Sequence, residues 1–263
     1  MKFGQIKPNL GVPINWSNPL SKGLVGCWLM NEGGGNIIAD LSGNGRNGSV
    51  VNALWSPGKY GTTLAFDDSG DYVDLGRASW VDYLPEISIV ASVKNNNVSK
   101  VGTNDYIVDK WTNWNCFYLA WDATEKFHFE VRTNTAGGVS VQSSVRDGTI
   151  QHHLAGTYDG ANIRLYVNGE LDGGPKAQTG TVRSAVNNLY ISSSVNSATT
   201  SWDGIIDYVF IYNRALSASE IAELYRNPFG IFQPTFSVWW YSGIGGEPPA
   251  TSIPIFMYHY LNH

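Results

Sequence analysis

Oxygen-bearing side chains alternate with other residues in positions 40–45, a pattern that could bind a metal ion. Asp40, Ser42 and Asn44 supply a carboxylate, a hydroxyl and an amide oxygen, and Ca²⁺ takes oxygen ligands of these kinds. An EF-hand loop also needs a Glu at its twelfth position, where this chain has Val51, so an EF-hand is excluded. The alternative is that Asp40 and Asn44 only form Asx-turns, in which their side chains hydrogen-bond to the neighbouring backbone.

Tryptophans with polar neighbours form a second candidate site, whose ligand would be a sugar. Trp111 and Trp114 flank Asn113 within residues 109–115. The C–H faces of a sugar stack on aromatic rings, and its hydroxyls hydrogen-bond to planar polar groups. We therefore predict ligand binding by Trp111, Asn113 and Trp114, and note that Trp121 and Trp202 are each followed by Asp in a similar way. The alternative is that these rings are buried anchors of the core.

The composition indicates what kind of fold must position these residues. Only 15% of the 263 residues are charged, whereas 29 are Gly and the aromatics comprise 10 Trp, 14 Tyr and 10 Phe. Aromatic residues favour strands and Gly favours tight turns, so an all-β fold is expected. Disorder and coiled coils are excluded, because the chain is rich in core-forming residues and poor in the residues that dominate long helices.

The charge pattern excludes several classes of partner. The formal net charge is -5 and Lys and Arg are scattered, so no nucleic-acid partner is expected. The longest apolar run falls short of the ~20 residues of a membrane span, so no membrane partner is expected either. The N-terminus lacks the apolar stretch of a secretory signal, so a role outside a cell requires another export route or a particle such as a virion. Cys27 and Cys116 form no CxxC pair and are expected to be buried free thiols, with a disulfide as the alternative.

Strand signals recur along the chain, and one helix is signalled near its end. Alternating or continuous apolar residues predict strands at 87–93, 127–132, 163–167 and 205–212. Asn168-Gly169 directly follows the third of these and predicts a type I′ hairpin turn. Ser217 and Glu220 fit a capping box at the start of a helix that ends at Asn227-Pro228.

Four segments, in their order and spacing, resemble a known family. They read GLVGCWLMNEG running into DLSGNGRNG (residues 23–48), LAFDDSGDYV (64–73), HHLAGTYDG leading to LYVNG (152–169) and DGIIDYVFIYNRALS (203–217). Together they are similar to the laminin-G-like jelly roll of the concanavalin A-like lectin/glucanase superfamily. The resemblance implies a two-sheet antiparallel jelly-roll sandwich with one short C-terminal helix and an extended C-terminal arm. The implied domains are an N-terminal arm at 1–22, the jelly roll at 23–228 and an aromatic arm, a candidate docking segment, at 229–263.

The resemblance also completes the metal hypothesis. Related jelly rolls hold a Ca²⁺ at one rim with oxygens from a loop such as 40–45 and a carboxylate on a late strand, a role that Asp207 fits here. The implied calcium ligands are therefore Asp40, Asn44 and Asp207, and the ion would be structural or ligand-bridging. The acidic residue that usually follows in the family is replaced by Tyr208. The alternative is that Asp207 accepts hydrogen bonds from backbone N–H groups.

The family contains both enzymes and binding modules. Its hydrolases carry their carboxylates as Glu-x-Asp-x-Glu on one strand, and no such pattern occurs in this chain. The Trp-His-His run of the family is reduced to His152-His153, with Gln151 in place of Trp, so the two His are expected to be structural. We therefore predict no catalytic residues and no enzymatic activity.

The resulting hypothesis is a non-enzymatic surface-binding or adhesion module with glycan binding. Residues 13–20 and 227–230 resemble laminin-G-like proteins encoded in phage and prophage genomes, which implies a virion structural or decoration protein. The expected partners are a glycan or other surface ligand, other structural proteins bound through the C-terminal arm, and further copies in a homo-oligomer. The alternatives are a secreted bacterial carbohydrate-binding module, located outside the cell by a route without an N-terminal signal, and a glycoside hydrolase with an unrecognised site.

Overall fold

Two antiparallel β-sheets form the body of the computed structural model, which describes residues 6–96, 104–110, 116–192 and 200–233. Within these residues the strands are β1 (Leu24–Trp28), β2 (Ile37–Ile38), β3 (Gly48–Val51), β4 (Leu54–Gly58), β5 (Gly61–Asp67), β6 (Tyr72–Arg77), β7 (Ile87–Asn95), β8 (Asp105–Lys110), β9 (Phe117–Trp121), β10 (Phe127–Arg132), β11 (Gly138–Gln142), β12 (His152–Tyr158), β13 (Asn162–Val167), β14 (Glu170–Ala177), β15 (Asn188–Ile191) and β16 (Asp203–Tyr212). The helix α1 (Ala218–Arg226) follows β16.

The strand order defines the two sheets. Sheet I runs β14-β13-β12-β7-β16-β5-β4, and β1 also pairs with β16. Sheet II runs β11-β10-β9-β8-β15-β6-β3-β2. Strands far apart in sequence are neighbours in both sheets, as in a jelly roll. The predicted all-β, two-sheet antiparallel sandwich with one short helix is confirmed, whereas residues 234–263 of the predicted arm lie outside the described residues.

The main core lies between the sheets, because alternate residues of each strand face inward. Ile89, Ala91 and Val93 of β7 belong to this core. The sheets lie close together at Gly156, where an added Cβ would lie 2.4 Å from the Phe129 ring, so only Gly fits. Trp121 and Trp202 are 2% and 0% exposed in the same core. The suggestion that these two rings stack on sugars is therefore wrong, because they pack against apolar side chains instead.

A second core covers the outer face of sheet I. Tyr208, Phe210 and Tyr212 point outward from β16 into it, where α1, the N-terminal segment and residues 229–232 cover them. The two terminal segments pair with each other through an antiparallel bridge between Ile14 and Phe232. This second layer explains why β16 is apolar on both faces, as the sequence indicated for a central strand.

The predicted turn and helix form as the local sequence indicates. Asn168 and Gly169 both have positive φ, at 53° and 87°, as a type I′ turn requires. Ser217 accepts from the Glu220 N–H while the Glu220 side chain accepts from the Ser217 N–H, a complete capping box. Cys27 and Cys116 are buried free thiols, as predicted. Within the described part of the chain, no helix has the length and apolar character needed to cross a bilayer.

Candidate functional site

A row of acidic residues and tyrosines crosses the outer face of sheet II. Asp74 of β6 pairs with Tyr190 of β15, which pairs with Asp109 of β8. Asp109 pairs in turn with Tyr118 of β9, and Tyr118 with Glu130 of β10. Residues directly opposite each other on neighbouring strands share one face of a sheet. Acid and phenol therefore alternate across five adjacent strands, and we call these five residues the acid–tyrosine row.

Strand alternation explains why this row faces outward. Phe117 and Leu119 point into the core, which leaves Tyr118 between them on the outer face. Phe129 and Val131 do the same for Glu130. Sequence reasoning missed the row, although this alternation was a usable signal for β9 and β10. The missing information was the register of β8 and β15, which lie far apart in the sequence.

Ring contacts and a hydrogen bond hold the row in place. The Tyr118 hydroxyl donates to Oε2 of Glu130 at 3.0 Å. Tyr106, which also faces outward from β8, packs edge-on against Tyr118 with ring centroids 5.4 Å apart. Tyr72 packs in the same way against Tyr190 at 5.7 Å. Edge-to-face pairs of this kind are favourable, so the phenols are oriented before any ligand arrives.

The environment keeps the phenols protonated. Burial raises the pKa of Tyr118, and the neighbouring Glu130 carboxylate adds to the shift. Burial and the nearby Asp109 raise the pKa of Tyr106 to about 12. Burial also raises the pKa of the Glu130 carboxyl, although the Tyr118 hydrogen bond opposes this effect. At neutral pH the tyrosines are therefore hydrogen-bond donors and not phenolate nucleophiles.

An open pocket adjoins the row at the edge strand β11. Ser140, which pairs with Glu130, lines this pocket together with Gln142. Pro175 and Lys176 of β14 form the other wall, and the Lys176 ammonium donates to the Ser140 carbonyl at 3.2 Å. The acid–tyrosine row thus continues into a polar groove at the edge of the sandwich.

The predicted sugar-binding residues Trp111, Asn113 and Trp114 lie outside the described residues. In the sequence they fall between β8 and β9, the strands that carry Asp109 and Tyr118. Their role stays a prediction. The two His of β12 are placed on opposite faces, as predicted. His152 contacts the Phe127 ring and His153 contacts the Tyr208 ring.

Backbone N–H groups surround the predicted metal ligand Asp40. Its Oδ1 accepts from the N–H groups of Cys27 at 3.1 Å and Ser42 at 2.9 Å, and its Oδ2 accepts from Arg46 N–H at 3.1 Å. The Asn44 amide donates to the Ser42 hydroxyl at 2.9 Å. Asp40 and Asn44 therefore share one loop around Ser42, in an arrangement that includes an Asx-turn at Asp40.

Asp207 lies elsewhere, at an irregularity of β16. Its neighbours Ile206 and Tyr208 pair with consecutive residues of β7, which leaves Asp207 as the extra residue of a bulge. Its carboxylate is fully buried, 3.6 Å from the Lys7 ammonium. A Cβ at Gly58 would come within 2.4 Å of the same carboxylate, so Gly is required there.

These donors decide how well calcium would fit. Asp40 already faces three N–H donors and Asp207 faces an ammonium, so a shared ion would have to displace them. Among the described residues, no group of three or more His, Cys, Asp or Glu is placed to hold a metal. The donor set as it stands does not fit Ca²⁺, and the calcium site stays a prediction.

Comparison with known proteins identifies the family. A model of the concanavalin A-like lectin/glucanases superfamily matches residues 67–222. The binding domain of Paraclostridial Mosquitocidal Protein 1 is similar in fold, with a TM-score of 0.67 and 17% identity over 80% of this chain and 53% of that chain. Domain 4 of AbnA, an extracellular arabinanase from Geobacillus stearothermophilus, was solved with arabinotriose and is also similar in fold. Its TM-score is 0.58, with 16% identity over 76% of this chain and 97% of that chain.

Larger proteins share the fold only in part. Trypanosoma rangeli sialidase, solved with sialic acid, gives a TM-score of 0.59 and 18% identity over 80% of this chain and 33% of that chain. The chain thus spans about half the length of the mosquitocidal binding domain and about a third of the sialidase. At these identities the likeness concerns the fold alone. No curated protein sequence matches the chain significantly.

Proposed function

Because this chain belongs to the concanavalin A-like lectin/glucanases superfamily, we propose that it is a non-enzymatic module that binds surface glycans through the acid–tyrosine row. One observation carries the proposal: Asp74, Tyr190, Asp109, Tyr118 and Glu130 pair in register across five strands of one sheet face. Asp109, Tyr118 and Tyr190 in the middle of the row are buried, so the groups open to a hydroxyl-rich ligand are the half-buried Asp74 and Glu130 and the neighbouring Tyr72 and Tyr106.

The chemistry of the row suits a neutral sugar. Carboxylates such as Asp74 and Glu130 accept hydrogen bonds from sugar hydroxyls, and phenols both donate and accept. The partly exposed rings of Tyr72 and Tyr106 offer apolar surface to the C–H faces of the sugar. Because packing and hydrogen bonds already orient these side chains, little conformational entropy is lost on binding.

The same geometry argues against a retaining glycosidase. Acids of the row are separated by two strand spacings of ~4.8 Å, which places their backbones roughly 9.6 Å apart. A retaining glycosidase needs carboxyl groups about 5–5.5 Å apart. Asp109, the central acid, is 0% exposed and so is kept from a bound sugar. The raised pKa of Tyr118 also argues against a phenolate nucleophile.

Proteins of similar fold support a carbohydrate ligand. One is named as a binding domain, and another was solved with arabinotriose. Since those likenesses concern the fold, they support the class of ligand and leave its identity to experiment.

We also propose that the C-terminal arm attaches this module to other structural proteins, as in a phage virion. Asn15 N–H donates to the Ile231 carbonyl and Gln233 N–H to the Pro13 carbonyl. These bonds lie in the layer that covers sheet I, on the opposite side of the sandwich from the acid–tyrosine row. Gln233, the last described residue before the arm, therefore lies on the opposite side of the sandwich from the acid–tyrosine row. Deletion of 234–263 should abolish assembly and preserve both folding and glycan binding, and loss of glycan binding would contradict this division.

Glycan-array binding by the intact chain tests the main proposal. Tyr72→Ala and Glu130→Gln should each weaken binding of the best array ligand by about tenfold, because each removes a stacking or hydrogen-bonding group. Tyr225→Ala is the matched control, since Tyr225 is a partly exposed tyrosine on α1. Equal affinity of all variants would overturn the assignment of the site. Release of reducing ends from the ligand would overturn the non-enzymatic assignment.

A further inference from the structure

A separate pocket lies at one end of the sandwich, where three chain segments meet. Thr133 and Val182 form a bridge, and Tyr83 N–H donates to the Val182 carbonyl at 2.9 Å. Asn134 N–H donates to the Thr181 carbonyl at 3.0 Å. We call this the end pocket, and its polar and aromatic walls are formed by Tyr83, Asn134, Thr135, Arg183 and Ser184.

Arg183 supplies the end pocket with a positive charge. Its side chain is exposed, and its guanidinium makes no hydrogen bond or ion pair with any residue that the structure describes. The Asp82 carboxylate, which accepts from the Ser184 hydroxyl at 3.0 Å, is ion-paired with Lys110. Arg183 therefore keeps its donors available for an anion, and its planar fork suits a carboxylate.

Tyr83 presents an aromatic ring beside this charge. Tyr83 is 63% exposed, so its ring is open to a ligand. Its backbone adopts φ 59°, in the left-handed region that is strained for a residue other than Gly. Two hydrogen bonds hold the segment in this conformation: Tyr83 N–H donates to the Val182 carbonyl, and Val182 N–H donates to the Leu84 carbonyl.

Asn134 completes the pocket with a directed donor. Its Oδ1 accepts from Thr181 N–H at 2.9 Å, which assigns the orientation of the amide. The amide NH₂ makes no hydrogen bond to a described residue, and Asn134 is exposed. A cation, a ring and an amide donor thus meet in one pocket.

We propose that the end pocket binds a carboxylate-bearing sugar. Arg183 pairs with the carboxylate, Tyr83 stacks on the sugar ring and the Asn134 amide donates to a ring substituent. The acid–tyrosine row carries three carboxylates, so an acidic ligand is repelled there and directed to the end pocket. The pocket is therefore a second binding site with its own ligand class.

Calorimetry with three probes tests the proposal: a galacturonic acid oligomer, its carboxyl-reduced neutral counterpart and a sulfated galactose oligomer. The full chain should bind the galacturonic acid oligomer at least about tenfold more tightly than either other probe, and raising the salt concentration should weaken this binding. Arg183→Gln should lose about tenfold in affinity for the acidic oligomer. Arg226 is an exposed arginine on α1, and the control variant Arg226→Gln should keep the full affinity for the acidic oligomer.

Tyr83→Gly separates binding from folding. Gly adopts positive φ at no steric cost, so this variant should unfold at the same temperature or higher while losing affinity for the acidic oligomer. Unchanged affinity for the acidic oligomer in Arg183→Gln, or equal binding of the neutral or the sulfated oligomer by Tyr72→Ala, whose acid–tyrosine row is weakened, would each overturn the proposal. Tyr72→Ala should leave acidic-oligomer binding intact, so failure of the acid–tyrosine row and failure of the end pocket are distinguishable.

Discussion

The ammonium of Lys7 lies 3.6 Å from a carboxylate oxygen of Asp207, and both side chains are buried. The Lys7 ammonium also donates to the Thr62 carbonyl, and Lys7 N–H donates to the Tyr60 carbonyl at 3.1 Å. Burial lowers the pKa of Lys7 to about 8, against the opposing effect of Asp207. These contacts fix the N-terminal segment to the bulge of β16. The bulge lies between the part of β16 that pairs with β5 and the part that pairs with β1.

Removal of the Lys7 charge should destabilise the fold. Lys7→Met leaves the Asp207 carboxylate buried without its counter-charge, and one-sided removal of a buried ion pair costs about 3–5 kcal/mol. Urea denaturation measures the loss. Lys22→Met, at an exposed position of the same segment, should cost less than about 0.5 kcal/mol. Adding Asp207→Asn to Lys7→Met should recover part of the loss, and equal stability of Lys7→Met and wild type would contradict the pairing.

Calcium and Lys7 should compete for Asp207. If Asp207 is a calcium ligand, the ion must replace the ammonium, so Lys7→Met should gain more thermal stability from Ca²⁺ than the wild type does. Thermal melts in EDTA and in millimolar Ca²⁺, with bound metal measured by mass spectrometry, check this expectation. Equal calcium stabilisation of both proteins would place the ion away from Lys7, and no stabilisation of either would remove Asp207 from the predicted ligands.

His153 should make the protein sensitive to acid. Burial, with a smaller contribution from Lys59, lowers the pKa of His153 to about 3, and neither ring nitrogen has a partner among the described residues. The unfolded chain therefore takes up a proton near pH 6.5 that the folded protein rejects. The full stability should therefore be present above this pH, and the free energy of unfolding should fall by about 2 kcal/mol between pH 7 and pH 5.

The matched variant for this prediction is His153→Phe. A phenyl ring suits the site, because His153 lies between the rings of Tyr208 and Tyr225. The variant should lose the His153 share of the pH dependence while remaining folded at pH 7. Urea midpoints at pH 5, 6 and 7 measure the difference, and an unchanged slope against pH in the variant would refute the assignment.

Gly156 should tolerate no side chain. In Gly156→Ala the new Cβ would lie 2.4 Å from Phe129, so the sheets must separate locally, at a cost of about 1–3 kcal/mol. Phe129→Leu combined with Gly156→Ala should be less destabilising than the sum of the two single changes. Gly34→Ala is the control, because an added Cβ there meets nothing within 4 Å. Additive losses in the double variant would show that the two residues do not clash.

Local features were determined by the sequence alone. The alternation at 127–132, the Asn168-Gly169 turn and the capping box at Ser217 all form as predicted. Each depends on the φ and ψ preferences and the burial of residues within a few positions of one another, so neighbouring residues suffice to specify them. The two-sheet architecture followed as well, because alternating strands without long helices can bury their apolar faces only against another sheet.

Only the tertiary structure decided which of these strands meet and in what register. Tyr190 and Asp109 become neighbours because β15 pairs with β8, and Lys7 reaches Asp207 from the opposite end of the chain. A shift of one residue in the β15–β8 register would turn the Tyr190 side chain to the other face of the sheet. That register depends on long-range hydrogen bonds, bulges and core packing together, so the acid–tyrosine row and the end pocket emerge only once the whole sandwich is assembled.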